Sequence, residues 1–229
     1  MVAGIGCSSR LVGYVDFCTL HGTHGRAPAF ATGLKMARPE LHVVVVTGDG
    51  DGLAIGANHL IHAARRNIDI TVLLLNNSIY GMTGGQAAPT TPTGAVASTT
   101  PGGNTEPNFD ACKLLIGAGA SFVARVLAAN PIEMTRVMVE GMTHNGFSFI
   151  EVVSDCPEYY GRYNGMGGGA DMLTWMAGRE VGVTGPLSSK RFVNHVPSST
   201  APPGMATGII QREERPVFTG VHGEGSHGP

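Results

Sequence analysis

Two clusters of small and polar residues could do chemistry together. The first is Gly48-Asp49-Gly50-Asp51-Gly52, which follows the apolar run Leu41–Thr47; the second is Asn76-Asn77, which closes the run Ile68–Leu75. Glycines let backbone amides approach a phosphate, and the N-terminus of a helix after Gly50 favours its negative charge. Asp49 supplies a hard oxygen of the kind Mg²⁺ takes, and Asn77 can add a side-chain oxygen. A backbone carbonyl just beyond, that of Ile79, can add another. Such a set would retain a metal-bound diphosphate. A lone aspartate in a turn after a strand is common; its pairing with Asn77 at this spacing favours a metal.

The spacing also says how the clusters meet. Between Gly50 and Asn76 lie 25 residues, room for one helix and one strand. Val43-Val44-Val45-Val46 is continuously apolar, as in strands covered on both faces. A helix is expected over Leu53–Arg66, with Leu53, Ala57, Leu60, Ile61 and Ala64 facing the core. Strand–helix–strand of this length is a βαβ unit, which returns both strand ends to one sheet edge. Other helices are expected from Pro28 to Ala37, from Asn108 to Ile116 and from Pro131 to Met142, the last capped by Asn130 with Ile132, Val137 and Val139 among its apolar residues. Strands are expected over Ser121–Arg125 and Phe147–Val153, the second closing on Ser154-Asp155-Cys156-Pro157.

The fold class is therefore α/β, a parallel sheet flanked by helices, over residues 1–160. Residues 78–108 are rich in Thr, Gly and Pro without periodicity, and are expected as a functional loop. Residues 161–229 are expected as an extended C-terminal arm that packs on a partner subunit. Met1 stands in mid-strand, so further sequence is expected upstream.

The 229 residues are 42% apolar and only 14% charged, which suggests surface covered by another subunit. A net charge of −2 favours neither nucleic acid nor an anionic membrane as partner. No apolar run reaches the roughly 18–20 residues of a membrane span. The N-terminal residues have no secretory pattern, and a cytoplasmic location is expected. Cys7, Cys18, Cys112 and Cys156 are irregularly spaced and read as reduced thiols. His21 and His24, and His59 and His62, stand three apart without an evident third ligand. Lys35 is either a carboxylate-binding or a solvated lysine.

Gly-Asp-Gly followed at this distance by Asn-Asn resembles the thiamine diphosphate signature. Arg65-Arg66-Asn67, the run Asn76 to Gln86, and Pro89-Thr90-Thr91 go further. They resemble the β subunit of 2-oxoacid:ferredoxin oxidoreductases, the 2-oxoglutarate branch most of all. Gly4-Ile5-Gly6-Cys7-Ser8, His24-Gly25-Arg26, Gly119 to Arg125 and Asp155-Cys156-Pro157 extend the likeness from residue 4 to about 162.

The resemblance implies an oxidoreductase that binds thiamine diphosphate and Mg²⁺ between this subunit and a larger α subunit. Such an enzyme decarboxylates a 2-oxo acid, passes electrons through a [4Fe–4S] cluster to ferredoxin, and gives the acyl group to coenzyme A. It implies Asp49, Asn77 and Ile79 as Mg²⁺ ligands, with Gly48, Gly50 and Asp51 along the diphosphate. Gly81, Met82 and Thr83 would lie over the cofactor, and His24 and Arg26 near its phosphate or a substrate carboxylate. The glutamate that activates the cofactor is expected on the partner, so the chain would hold half of an active site. For the cluster the resemblance implies Cys7 and Cys156, whereas the family's N-terminal Cys-x-x-Cys is absent from this sequence. Sequence upstream of Met1 would restore it. Two alternatives stand beside this reading: a ferredoxin-independent thiamine diphosphate decarboxylase or synthase, and a truncated, redox-inactive scaffold that binds the α subunit.

Overall fold

A computed structural model describes residues 1–182 and 205–219. Among them β1 (Val2–Ala3), β2 (Leu20–His21), β3 (Val44–Gly48) and β4 (Thr71–Asn76) come first; β5 (Ile79–Tyr80) and β6 (Gln86–Ala87) form a small antiparallel pair. β7 (Phe122–Leu127), β8 (Ser148–Val153), β9 (Glu180–Gly182) and β10 (Met205–Arg212) follow. The helices are α1 (Ala27–Ala37), α2 (Ala57–Arg65), α3 (Ala111–Gly117), α4 (Pro131–Thr143) and α5 (Gly169–Ala177). The main sheet runs β2-β1-β3-β4-β8-β7-β10-β9, parallel from β2 to β7.

Apolar residues on alternate positions serve the two faces. Val45, Val72 and Leu74 pack with Ala31, Leu60 and Leu115 of α1, α2 and α3. Leu73, Phe122, Val126 and Ile150 pack with Val137 of α4 on the other side. The continuous apolar runs are thus central parallel strands buried on both faces. α4 starts as expected: Asn130 accepts a hydrogen bond from Glu133 N at 3.2 Å, and Pro131 follows it.

Several expectations change. The helix after Gly48 does not run unbroken from Leu53. A wide π-helical turn, Gly50–Ile55, comes first, and α2 begins only after Gly56. The buried stripe is accordingly Leu53, Leu60, Ala63 and Ala64, with Ala57 and Ile61 only half-buried. Of the apolar residues of α4, Val137 is buried, while Ile132 and Val139 face outward, 84% and 52% exposed. Lys35 is neither solvated nor free to bind a ligand: it pairs with Asp69 at 2.7 Å and donates to Leu41 O at 2.8 Å. The C-terminal stretch is not an arm throughout. β10 pairs antiparallel with β7 and buries Thr207, Gly208 and Ile210. Residues 183–204 and 220–229 of the expected arm lie outside the described residues.

The N-terminal edge of the sheet is closed by a buried polar cluster. Asn67, at φ 51°, accepts from Phe147 N at 2.9 Å and donates to the carbonyls of Arg215 and Pro216 at 3.2 and 3.1 Å. Ser121 Oγ lies 2.7 Å from Asn67 Oδ1 and 2.8 Å from His144 Nε2. Removing one member strands the others without partners. Asn67→Ala should therefore cost about 2–4 kcal/mol in chemical denaturation. It should leave ligand binding at the opposite sheet edge unchanged, because no residue of the cluster reaches that edge.

Candidate cofactor site

Parallel α/β sheets bind ligands beyond the carboxyl ends of their strands. The cleft here, of about 580 Å³, is built in that way. Ile5 to Ser8 follow β1, His24 follows β2, Gly48 to Asp51 close β3, Asn77 and Ile79 to Thr83 follow β4, and Ser154 and Asp155 follow β8; all line it.

Asp49 sits at its floor, 3% exposed. Its Oδ1 accepts from Gly50 N at 2.9 Å and its Oδ2 from Thr90 Oγ1 at 2.5 Å. Both donors are neutral, and among the described residues no cationic side chain forms an ion pair with it. Burial pushes its carboxyl up from an ordinary 3.8 to about 6, only partly opposed by these hydrogen bonds. Each oxygen keeps a lone pair for a further, positively charged partner. Tyr80 OH donates to Gly50 O at 3.1 Å and holds the turn from above. A Cβ at Gly50 would lie 2.2 Å from the Tyr80 ring, so this position must be glycine. Burial, then the charges of Asp49 and Asp51, push the Tyr80 phenol up and keep it a donor.

Asp51 has a different job from the one expected of it. It lines the cleft, but its oxygens are engaged by Gly25 N at 2.6 Å, Thr47 Oγ1 at 2.7 Å, His24 Nδ1 at 2.8 Å and Ile5 N at 3.2 Å. It ties the segments after β1 and β2 to the turn after β3 and is not free to contact a diphosphate. His24 Nδ1 faces only acceptors, Asp51 and Ile5 O at 3.0 Å, so Nδ1 carries the proton and Nε2 is left for other partners.

After β4 the chain turns twice on its own side chains. Asn76 Oδ1 accepts from Ser78 N at 3.0 Å, and Asn77 Oδ1 from Ile79 N at 3.3 Å. Ser78 adopts φ 63°, and its carbonyl is held by Thr91 Oγ1 at 2.6 Å. Beyond it Gly81 separates two thiols. A Cβ there would lie 3.3 Å from Cys7 Sγ and 3.5 Å from Cys156 Sγ, so a side chain would crowd both. Burial and the neighbouring Cys156 push the Cys7 thiol up. Cys112 is elsewhere, fully buried on α3, and Cys18 is exposed.

The structure thus brings together Gly48, Asp49, Gly50, Asp51, Asn77, Ile79, Gly81, Met82, Thr83, His24 and Cys7 around one cleft, with Cys156 behind Gly81. Arg26 is not among the lining residues; it stands at the start of α1, 3.5 Å from Ile55 O. Sequence reasoning missed Thr90 as the partner of Asp49, and missed Ser8, whose buried hydroxyl lines the cleft without a hydrogen-bond partner among the described residues. Thr90 could have been found only by knowing that residues 78–108 fold back over β3. Asn104 secures that return, donating to Thr91 O at 2.8 Å, and Asn164 fixes the segment through both backbone groups of Val96 at 2.8 and 3.0 Å.

The family described as thiamine pyrophosphate enzyme, C-terminal TPP binding domain, matches residues 4–152. A 2-oxoglutarate:ferredoxin oxidoreductase from Magnetococcus marinus, solved with 2-oxoglutarate, coenzyme A and succinyl-CoA bound, superposes with a TM-score of 0.81 at 32% identity, over 95% of this chain and 72% of that one. The chain belongs to the thiamine pyrophosphate enzymes, among the β subunits of the 2-oxoacid:ferredoxin oxidoreductases. The 2-oxoglutarate synthase subunit KorB of Methanocaldococcus jannaschii is 58% identical over 175 residues, 76% of this chain and 65% of that subunit. Its counterpart in Archaeoglobus fulgidus is 60% identical over 159 residues, 69% of this chain and 60% of that one. The 2-oxoglutarate oxidoreductase subunit KorB of Mycobacterium tuberculosis is 50% identical over 156 residues, 68% of this chain and 42% of that one. The matched region therefore spans less than two thirds of these relatives' length.

The residues fit the family's cofactor and its metal ion. Asp49 is a buried carboxylate with neutral partners, and Asn77 and Ile79 from the neighbouring strand end line the same cleft. That fit carries a cost in the free chain. Asp49 binds its proton more tightly folded than unfolded, so stability falls as pH rises from 3.8 to about 6 and is level above. Asp49→Asn should therefore stabilise the ligand-free chain above pH 6 by up to ~3 kcal/mol, the gain vanishing below about pH 4. Thermal unfolding of both proteins from pH 4 to 8 measures it.

Proposed function

We propose that this chain is the β subunit of a 2-oxoacid:ferredoxin oxidoreductase and carries the metal-and-diphosphate half of its active site. The supporting observation is the convergence of Asp49 and the Asn77–Ile79 turn on one cleft, with Asp49 buried among neutral donors. Mg²⁺ would be held by the Asp49 carboxylate, the Asn77 side-chain oxygen and the Ile79 carbonyl, hard donors that suit it. Gly48 and Gly50 would let the diphosphate approach the backbone, and the Ser8 hydroxyl would donate to it. Gly81, Met82 and Thr83 would cover the cofactor on one side and exclude water. Thiamine diphosphate, when bound, supplies the electron sink for the carbanion left as CO2 departs.

The oxo acid is 2-oxoglutarate in this reading, since the named relatives act on it and the Magnetococcus enzyme was solved with it and coenzyme A. A larger α subunit would complete the site and supply the activating glutamate; residues beyond 160 would help to dock it. Ferredoxin would receive the electrons. Among the described residues no helix is long and apolar enough to cross a membrane, which suits a cytoplasmic complex.

Cys7 and Cys156 flank Gly81 and would supply two cluster thiolates. A [4Fe–4S] cluster takes four, so these two alone do not hold one. Beside this reading stands the alternative, a redox-inactive scaffold that binds the α subunit without transferring electrons. Iron and sulfide analysis of the complex decides between them: four irons per β chain with 2-oxoglutarate-dependent ferredoxin reduction supports the first, and no iron supports the scaffold.

The metal assignment makes its own prediction. Asp49→Ala and Asn77→Ala should each weaken Mg²⁺-dependent thiamine diphosphate binding by the assembled complex roughly 100-fold, since each removes a ligand oxygen. Calorimetric titration of the cofactor with and without Mg²⁺ checks it; undiminished binding by both variants would refute the ligand set.

A further inference from the structure

A buried polar chain under the sheet joins the two segments that build the metal site. It starts at Asp110, which caps α3 by accepting from Lys113 N at 3.2 Å. Asp110 Oδ1 also receives Arg125 NH2 from β7 at 2.9 Å, and Arg125 Nε donates to Glu151 Oε2 on β8 at 2.6 Å. Cys112 Sγ donates to the same oxygen at 3.4 Å, and Glu151 Oε1 accepts Asn76 Nδ2 from the end of β4 at 2.7 Å. Glu151 is 2% exposed. A carboxylate in mid-strand of a central parallel strand is costly to bury, and core packing alone does not call for it.

We propose that Glu151 is a positioning residue for the metal-binding turn, acting by fixing which way the amide of Asn76 points. Paired with a guanidinium, the Glu151 carboxylate only accepts hydrogen bonds. Asn76 must therefore turn its NH2 toward Glu151, which leaves its carbonyl oxygen facing the N–H of Ser78, as observed at 3.0 Å. That bond holds Ser78 at φ 63°, a conformation costly for a residue with a side chain. From Ser78 the backbone presents Asn77 on one side and Ile79 on the other. At its far end the chain anchors α3, the first element after the segment that brings Thr90 onto Asp49. The inference rests on the metal reading given above and names the residue that aims its second arm.

Charge-free substitution separates this role from bulk stability. In Glu151→Gln the new amide can accept from Arg125 only by presenting its NH2 to the NH2 of Asn76. If Asn76 flips to accept it, the Asn76 NH2 meets the N–H of Ser78. One donor clash is unavoidable, and the turn loses its clamp. The exchange Asn76→Asp with Glu151→Gln restores every hydrogen bond, though not the ion pair with Arg125. The introduced amide accepts from Arg125 and donates to the introduced carboxylate, whose other oxygen accepts from Ser78 N.

The experiment is titration of Mg²⁺ into the full chain with its α subunit at saturating thiamine diphosphate, read by calorimetry, beside thermal unfolding of each variant without ligand. The expected result is Mg²⁺ affinity weakened about 10–100-fold in Glu151→Gln, as for other partners that orient metal ligands, and recovered to within about threefold in the exchange variant. Equal Mg²⁺ affinity in Glu151→Gln and wild type, with only the unfolding temperature lowered, overturns the proposal. If Glu151→Gln does not fold, the exchange variant decides: near-wild-type affinity supports the proposal, and a folded variant that binds Mg²⁺ tenfold or more weakly overturns it. Absence of Mg²⁺-dependent cofactor binding by the wild type would instead refute the functional reading itself.

Discussion

The structure is arranged around a carboxylate that is expensive to ionise. Asp49 lies at the end of β3 with its oxygens held by one backbone amide and one hydroxyl, and burial pushes its carboxyl up to about 6. Neutral donors do not offset the charge; a divalent cation would. Much of the local architecture can be read as what keeps this group buried and aimed: Tyr80 packed on Gly50, Thr90 returned from a distant loop, and a wide π-helical turn in place of a regular helix start. The buried Asp49 charge lowers the stability of the free chain, a cost that the proposed metal-bound diphosphate would offset.

A second aspartate two residues on shows how position separates two identical groups. Asp51 has its oxygens taken by Ile5, His24, Gly25 and Thr47, and so serves as the tie between three strand ends. Asp49 keeps lone pairs and faces the cleft.

What was legible in the sequence follows from how local each signal is. The βαβ unit could be read because continuous valine and leucine runs and strand-end glycines are local features; β3, β4 and the meeting of Asp49 with Asn77 followed from them. The start of α4 was legible from Asn130 and Pro131. Three features were not local. Thr90 reaches Asp49 across 41 positions of chain. The saturation of Asp51 needs loops from β1 and β2. β10 is a strand because β7 offers it an edge and β9 pairs on its other side, and its opening residues, Met205 to Gly208, carry no alternation to reveal it. Lys35 was misjudged for the same reason, its partner Asp69 lying on another connection.

The central claim is that one divalent ion is held jointly by the ends of β3 and β4. A crystal structure of the chain with its α subunit, grown with thiamine diphosphate and Mn²⁺ in place of Mg²⁺, tests it most directly through the anomalous signal of the metal. The account predicts one strong peak within roughly 2.0–2.3 Å of an Asp49 carboxylate oxygen, the Asn77 side-chain oxygen and the Ile79 carbonyl, at ordinary hard-cation distances. A cofactor-bound complex whose Mn²⁺ peak lies away from Asp49 and Asn77 would contradict it.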